Sequence, residues 1–519
     1  MQVRLLIGID VGTSGTKTAL YDETGRRLAV HTAEYPLYQP QNGWAEQEPE
    51  DWWQATLKGL RAVLSESACD PQHIVGIGLS GQMHGLVMLD ERGEVLRRSI
   101  IWCDGRTSEE CEEITRLVGA DRLMDITMSP ALTGFTASKI LWVRKHEPDV
   151  YAKCRHILLP KDYIRYRLTG TFATDASDAS GMQLLDIAKR DWSQEVLDAL
   201  NIDRALLADV YESCEVTGRI TPQISELTGL STDTVVVGGA GDNAAAAVGC
   251  GAVRDGYGFT TIGTSGVVFS HCKELRFDPK GRIHSFCAAV PGEYHVMGVT
   301  LAAGLSLRWF KDQFCAVEQA EADAQERDVY ARMDEVAAEI PIGADRLLFL
   351  PYLMGERTPH LDPFARGALL GLSASHTRAH CLRAVMEGVI YSLRDCLSLF
   401  DAAGVTPPSR MMACGGGTVS PLWRQMLSDV LGCTVCTAAS NDGGALGAAL
   451  LAGVGAGVWN SVPDACDAVI RVRTEQAPVE QNRADYEPYY QLYHSVYSAL
   501  RPVCHTLATL KTSYQEDRT

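Results

Sequence analysis

Val3 to Ile9 is an apolar run of strand length, and Asp10-Val-Gly-Thr-Ser-Gly15 follows it as a turn. Thr16 to Tyr21 is a second strand-like run, Asp22-Glu-Thr-Gly25 a second turn, and Arg27 to Tyr35 alternates. The pattern predicts an antiparallel hairpin whose tip holds small residues and one carboxylate. Over residues 48–64, Trp53, Leu57, Leu60 and Leu64 recur at helical spacing. Pro49 suits the first turn of that helix, and Glu48, Glu50 and Asp51 suit its positive end. Residues 74–79 return as a buried strand that ends in Ser80-Gly-Gln-Met-His-Gly85, and Leu86 to Leu89 continue as another. Strands alternating with helices predict an α/β class.

The tetrad Gly12-Thr-Ser-Gly15 reappears as Gly263-Thr-Ser-Gly266, again between two strand-like runs, 257–262 and 267–270. Matched flanks predict a duplicated domain core, hence two related α/β domains facing a cleft. The boundary falls near residue 250. The expected division is 1–250, 251–475 and a helical tail over 476–519, where Tyr486, Tyr489, Tyr490, Tyr493, Tyr497 and Leu500 lie at helical spacing. The tail is expected to dock an aromatic face on the body or on another subunit. Gly443 to Pro463 carries no charge, but six glycines and many alanines predict a close-packed helix and turn rather than a membrane span.

Composition narrows the function. The chain has 519 residues, 46% apolar and 22% charged, which excludes a disordered or fibrous protein. Lys plus Arg is 47 against 65 Asp plus Glu, a formal net charge of −18. Such a chain repels nucleic acid and anionic lipid at long range, so neither a nucleic-acid nor a membrane partner is expected. A phosphate-bearing ligand must be held by local backbone N–H groups, a metal ion or a few cations. The apolar stretch of Met1 to Ile9 is too short for a signal peptide, and the sixteen cysteines follow no disulfide pattern. A cytoplasmic protein is expected.

Both glycine-rich tips suit phosphate, since glycine admits close backbone approach and Thr13, Ser14, Thr264 and Ser265 add hydroxyls. Matching tips on two halves can clamp a nucleotide's phosphates from opposite sides. Asp10 beside the first tip can hold Mg²⁺ against phosphate oxygens, or stabilise its own turn. Lys17 is placed to reach a phosphate or to be a solvated strand cation. Asp242 in Gly238-Gly-Ala-Gly-Asp242-Asn243 suits the N-cap of an alanine-rich helix, and also a general base that a helix N-terminus keeps ionised. Gln82-Met83-His84 ends a buried strand, where open α/β sheets present ligand groups, so His84 can donate to a sugar hydroxyl or pack as a core histidine. Trp102-Cys-Asp104-Gly-Arg106 joins an aromatic face, a carboxylate and a guanidinium, a set that suits polyhydroxylated ligands. Gly415-Gly416-Gly417 ends the strand-like run Met411 to Cys414 and leaves a flat gap on which a purine can lie.

Together these pieces resemble the FGGY carbohydrate kinases. The resemblance runs from Ile7 to about residue 455. It rests on Gly8-Ile-Asp-Val-Gly-Thr-Ser-Gly-Thr-Lys17, Trp44-Ala-Glu-Gln-Glu-Pro-Glu-Asp-Trp-Trp53, Gly81-Gln-Met-His-Gly85, Trp102-Cys-Asp-Gly-Arg106, Gly134-Phe-Thr-Ala-Ser-Lys-Ile-Leu-Trp142 and Leu159-Pro-Lys-Asp-Tyr163. Gly241-Asp-Asn243, Gly263-Thr-Ser-Gly266, Gly355-Glu-Arg-Thr-Pro359 and the Gly415 triplet follow in family order. The resemblance implies two actin-like, ribonuclease-H-like ATPase domains flanking a deep cleft. It implies Asp242 as proton acceptor and Asp10 as the Mg²⁺-associated carboxylate. It also implies Met83 and His84, with Asn243 beside them, as the sugar contacts. Gln82, Asp104 and Arg106 complete the expected substrate side. Gly12, Thr13, Ser14, Lys17, Gly263, Thr264, Ser265 and the Gly415 triplet form the ATP side. The Gln-Met-His-Gly turn singles out the members that phosphorylate D-xylulose, with another sugar or polyol (ribulose, gluconate, glycerol) as the alternative and an actin-like ATPase without sugar kinase activity as the rival from a different class. Cys103 stands where Asn is common in the family. Family members are often dimers, and the tyrosine-rich tail offers a surface for a homodimer.

Overall fold

A computed structural model describes residues 4–440 and 442–510. Residue 3 of the first expected strand and residues 511–519 of the expected tail lie outside the described residues. Two compact units are present. The first holds the chain up to Asp255, His271–His295 and Asp442–Arg471; the second holds Gly256–Ser270, Val296 to residue 440 and Val472 onward.

The first unit opens with the expected hairpin, β1 (Leu5–Val11) and β2 (Gly15–Asp22), continued antiparallel by β3 (Arg27–Glu34). Helix α1 (Pro49–Ser67) has Pro49 in its first turn and stops where Ala68 turns left-handed, φ 49°. It crosses to β4 (Ile74–Gly81), parallel to β1. Strands β5 (Val216–Arg219) and β6 (Val235–Val237) complete the order β5-β6-β4-β1-β2-β3. The predicted stripe of α1 is buried on one face of the sheet, with Trp52 added, against Ile7, Ile9, Ile77 and Leu79. Each such side chain contributes about 1.5–3 kcal/mol on burial. Helix α2 (Asp242–Cys250) follows the short strand Ala240–Gly241.

In the second unit, β7 (Tyr257–Ile262) and β8 (Gly266–Cys272) form an antiparallel hairpin with β9 (Tyr294–Thr300) as the outer neighbour. On the other side β10 (Arg410–Cys414) is parallel to β7 and β11 (Thr434–Ala438) is parallel to β10. The pattern of the first unit is thus repeated: a meander on one side of the hairpin's first strand and parallel crossover strands on the other. Duplication of one core explains it better than coincidence of four Gly-Thr-Ser-Gly residues.

Helix α3 (Gly443–Gly455) belongs to the first unit, although the expected division at 250 put it in the second domain. Glycine is the reason it fits there. A Cβ on Gly8 of β1 would lie 1.8 Å from the carbonyl oxygen of Ala445, and one on Gly78 of β4 1.8 Å from that of Ala448. The α2–α3 crossing is equally close, with a Cβ on Gly447 falling 1.9 Å from the Ala245 oxygen. The uncharged Gly/Ala composition is therefore a packing requirement: α3 lies backbone-on-backbone against sheet and helix. The chain then re-enters the second unit as β12 (Val472–Gln476), antiparallel to β11, and α4 (Glu480–Thr509). The tyrosines of α4 do face the body. Tyr486 accepts from Arg383, Tyr490 donates to Asp395, Tyr493 bonds Tyr352 and Tyr497 donates to Asp362.

Candidate active site

The register brings the first unit's candidates to one end of its sheet. Asp10 pairs with Ser80, Val11 with Gly81, and Gly81 in turn with Gly241. Three parallel strands therefore stop in one row, with the Gly12–Ser14 tip, the Gln82–His84 turn and Asp242 at their carboxyl ends, where open α/β sheets bind ligands. Two strand spacings put the backbones of Asp10 and Asp242 about 10 Å apart.

Asp10 Oδ1 accepts from Ser80 Oγ at 2.8 Å. Its Oδ2 meets no donor among the described residues. A Cβ on Gly444, in the first turn of α3, would fall 3.0 Å from Oδ2 and 2.9 Å from Ser80 Oγ. The carboxylate thus sits at the positive end of that helix, and Gly444 is the residue that makes room for it. Burial raises its pKa, against the Ser80 bond and the charge of Lys17. Gly444→Ala is expected to displace the Ser80–Asp10 pair and lower kcat about 10–10²-fold without changing the melting profile, as misplacement of a positioned group does; steady-state kinetics with thermal melts check it.

Asp242 is the first residue of α2, and the cap position is held by Gly241. This corrects the N-cap expectation. Its Oδ1 accepts from Asn243 N at 2.7 Å and Asn243 Nδ2 at 2.9 Å. Water reaches the carboxylate, yet protein walls it in. That desolvation, then the charge of Asp10, push its pKa up to about 6. The expectation that the helix end lowers this carboxyl's pKa is corrected: desolvation and Asp10 outweigh the Asn243 bonds, although the group is still mostly ionised at neutral pH. Gly241 N donates to Ser177 Oγ at 3.1 Å, and Ser177 Oγ donates to the buried Asp175, which Lys161 pairs at 2.8 Å. The strand end that aims Asp242 is thereby tied to the interior.

Met83 is buried and touches Gly241, where a Cβ would lie 2.9 Å from its sulfur. His84 takes a left-handed φ of 68°, stacks on Phe135 at 4.3 Å and places Nδ1 2.8 Å from the Gly181 oxygen. A carbonyl partner requires the proton on Nδ1, so in the neutral ring Nε2 is an acceptor. The expectation that His84 donates therefore applies to Nδ1 and the Gly181 carbonyl, and the Phe135 stack packs the ring as a core histidine would. Lys139, buried within an apolar helix and pushed down to about 7 by that burial, donates to the His84 oxygen at 2.8 Å and holds the strained turn. The Gly134–Trp142 motif contained Lys139, but no sequence spacing disclosed this task.

Three expected substrate contacts are occupied elsewhere. Asp104 is 2% exposed, accepts from Ala45 N at 2.6 Å and holds Arg106 through Nε and Nη2. Arg106 also pairs Glu46 at 2.8 Å and lies 3.7 Å over the Trp44 ring. The substrate-contact expectation for Asp104 and Arg106 is corrected: both heads close a buried ion network and have no face left for a ligand. Gln82, 2% exposed, donates to Gln47 at 2.7 Å and to the Gly12 oxygen at 3.3 Å, bracing the tip from behind. Gln47 holds the Thr13 oxygen at 2.7 Å, and Trp102 donates to Thr13 Oγ1 at 2.9 Å. Lys17 lies 3.9 Å from Asp442, which Arg27 pairs at 2.6 Å.

In the second unit the parallel register Thr261 to Cys414 sets the Gly263–Ser265 tip beside the Gly415 triplet. Gly415 has φ 89°, and a Cβ on Gly417 would strike Ile262 at 2.4 Å and Trp423 at 2.7 Å. Nothing lies within 4 Å of a Cβ on Gly416, so its face is bare backbone.

The sequence matches the N-terminal domain of the FGGY family of carbohydrate kinases over residues 5–249 and the C-terminal domain over residues 258–456. The chain belongs to this family. It is 40% identical to a xylulose kinase of Bacillus subtilis over 496 residues, covering 96% of this chain and 97% of that protein. Among solved structures it resembles the xylulose kinase of Rhodospirillum rubrum, with TM-score 0.89 and 31% identity, covering 97% of this chain and all of that one. It resembles a gluconate kinase of Lactobacillus acidophilus at TM-score 0.89 and 28% identity, covering 96% and 98%. As an FGGY kinase the protein is a sugar phosphotransferase that uses ATP. Among its described residues no helix is long and apolar enough to cross a membrane.

Proposed function

We propose that the protein transfers the γ-phosphoryl group of ATP to D-xylulose, giving D-xylulose 5-phosphate and ADP. The observation that carries the reading is Asp242: a solvent-reached carboxylate with a pKa of about 6, in one strand-end row with Asp10 and next to Gly241, against which Met83 packs. It is ionised at neutral pH yet basic enough to take a proton. Similarity to named xylulose kinases supports the choice of sugar.

His84 Nε2 accepts from a sugar hydroxyl and orients the ketose, with Met83 packing its carbon face and Asn243 beside it. Asp242 orients the attacking hydroxyl and accepts its proton as the oxygen–phosphorus bond forms and the bond to ADP breaks. The Gly263–Ser265 tip takes phosphate oxygens on backbone N–H groups and the bare face of Gly416 beside it takes the purine, while the Gly12–Ser14 tip offers the same donor set. Asp10 fits Mg²⁺: its Oδ2 is free of donors, and a single carboxylate is what this ion takes when phosphates and water supply the remaining ligands. Bound there, Mg²⁺ neutralises phosphate charge. The sixteen cysteines are free thiols, which suits the reducing cytoplasm.

The structural likeness to a gluconate kinase keeps a second substrate in view. Coupled ADP release across xylulose, ribulose, gluconate and glycerol decides. Xylulose is expected to give the highest kcat/KM, and a tenfold preference for another compound would overturn the assignment of the sugar.

A further inference from the structure

The Gly355-Glu-Arg-Thr-Pro359 motif has no part in the site above. Its acid, Glu356, is 2% exposed and has no cation within hydrogen-bond reach among the described residues. Instead it binds one backbone segment. Oε1 accepts from Leu301 N at 3.0 Å and from Arg357 N at 2.7 Å, and Oε2 bonds Thr300 Oγ1 at 2.7 Å. Thr358 closes the contact, donating its N–H to the Val299 oxygen at 3.0 Å and accepting from Val299 N at 3.1 Å.

The segment so held runs directly into the second glycine tip. Ala303 N and Leu305 N both donate to the Thr264 oxygen, at 3.0 and 3.1 Å, and Gly304 N donates to the Gly263 oxygen at 2.7 Å. The approach leaves no slack, since a Cβ on Gly304 would lie 2.4 Å from the Gly263 oxygen and one on Gly266 2.9 Å from Thr300 Cγ2. Two of the tip's three carbonyls, those of Gly263 and Thr264, are thus engaged by residues 303–305, and these are anchored two residues earlier by Glu356. A buried acid held by two backbone N–H groups and one hydroxyl, with no cation, is costly unless it holds something in place.

We propose that Glu356 is a positioning residue for the Gly263–Ser265 tip and, through it, for the nucleotide's phosphates. The inference rests on the reading of that tip as a phosphate holder. Burial pushes the Glu356 carboxyl up to about 8, so a neutral amide is a close mimic at pH 7. Glutamine keeps one oxygen for the two N–H donors and offers an N–H to Thr300.

The test compares Glu356→Ala, Glu356→Gln, Thr300→Val and Thr264→Val by kinetics and by amide exchange. Glu356→Ala is expected to raise the KM for ATP about tenfold, with the KM for xylulose within about twofold of native. Glu356→Gln is expected to restore the native value within about twofold, and Thr300→Val to fall between. Amides 303–305 exchange faster in the alanine variant and at the native rate in the glutamine variant, while β7 and β10 stay protected. If Glu356→Ala does not fold, Thr300→Val and Glu356→Gln still decide. A native KM for ATP in Thr300→Val, or a glutamine variant with a tenfold higher KM, would overturn the proposal. So would equal rises in both KM values with exchange raised throughout the unit. Thr264→Val tests the tip itself: a native KM for ATP there, with faster exchange at 303–305 in Glu356→Ala, would sink the phosphate reading but not the positioning.

Discussion

Asp242→Ala is expected to lower kcat about 10²–10⁴-fold, the range for loss of a positioned base, and to leave the fold and the KM for sugar nearly unchanged. The carboxylate bonds only the neighbouring Asn243 and is open to solvent, so its removal creates no cavity. The helix it begins is capped by Gly241 and keeps its packing through Gly249 and Gly447. Near-native turnover in the alanine variant would remove Asp242 from the chemistry. Ionised Asp242 also costs stability: its folded pKa of about 6 lies above the ordinary 3.8, so the folded chain holds this proton more tightly. Its stabilising share is complete below pH 4 and lost as pH rises through 6. That is the opposite of the usual paired aspartate.

Asp10→Asn is expected to lower kcat about 10²–10³-fold, the scale of losing one group aimed at developing charge. A second effect separates it from a structural lesion. The charge of Asp10 is one of the two causes that raise Asp242, so its neutralisation should move the acid limb of the residual activity to lower pH. The Ser80 hydroxyl keeps a partner in the amide oxygen, which argues against collapse of the strand end. Residual kcat/KM measured between pH 4.5 and 8 checks the shift. An unmoved limb would mean that the two aspartates do not sense each other.

Local pattern disclosed the hairpins, α1 and the tyrosine face of α4, because burial on one side writes itself into period and turn residues. It disclosed the repeat of the glycine tips, and with it the duplicated core, while the strand order came only from the structure. It did not disclose where α3 packs: a Gly/Ala helix fits many surfaces, and only the missing side chains of Gly8 and Gly78 show which one. The pKa of Asp242 was hidden for a related reason. A helix start lowers an aspartate locally, whereas the opposing desolvation and charge come from residues distant in sequence. Asp104 and Arg106 have a ligand-binding composition, but Glu46 and Ala45, remote along the chain, consume them. Glu356 lay inside a noted motif, and its partners at 300 and 301 could not be inferred from spacing.

The pH dependence of kcat/KM for xylulose, in the native protein and in Asp242→Asn, is the most direct trial of Asp242 as the base. In the native protein activity should fall through a single acid limb near pH 6, because protonation of the free carboxylate removes the acceptor. In Asp242→Asn the remaining activity should show no limb there. A limb at the same pH in both proteins, or a flat native profile down to pH 5, would contradict a phosphoryl transfer that depends on this residue.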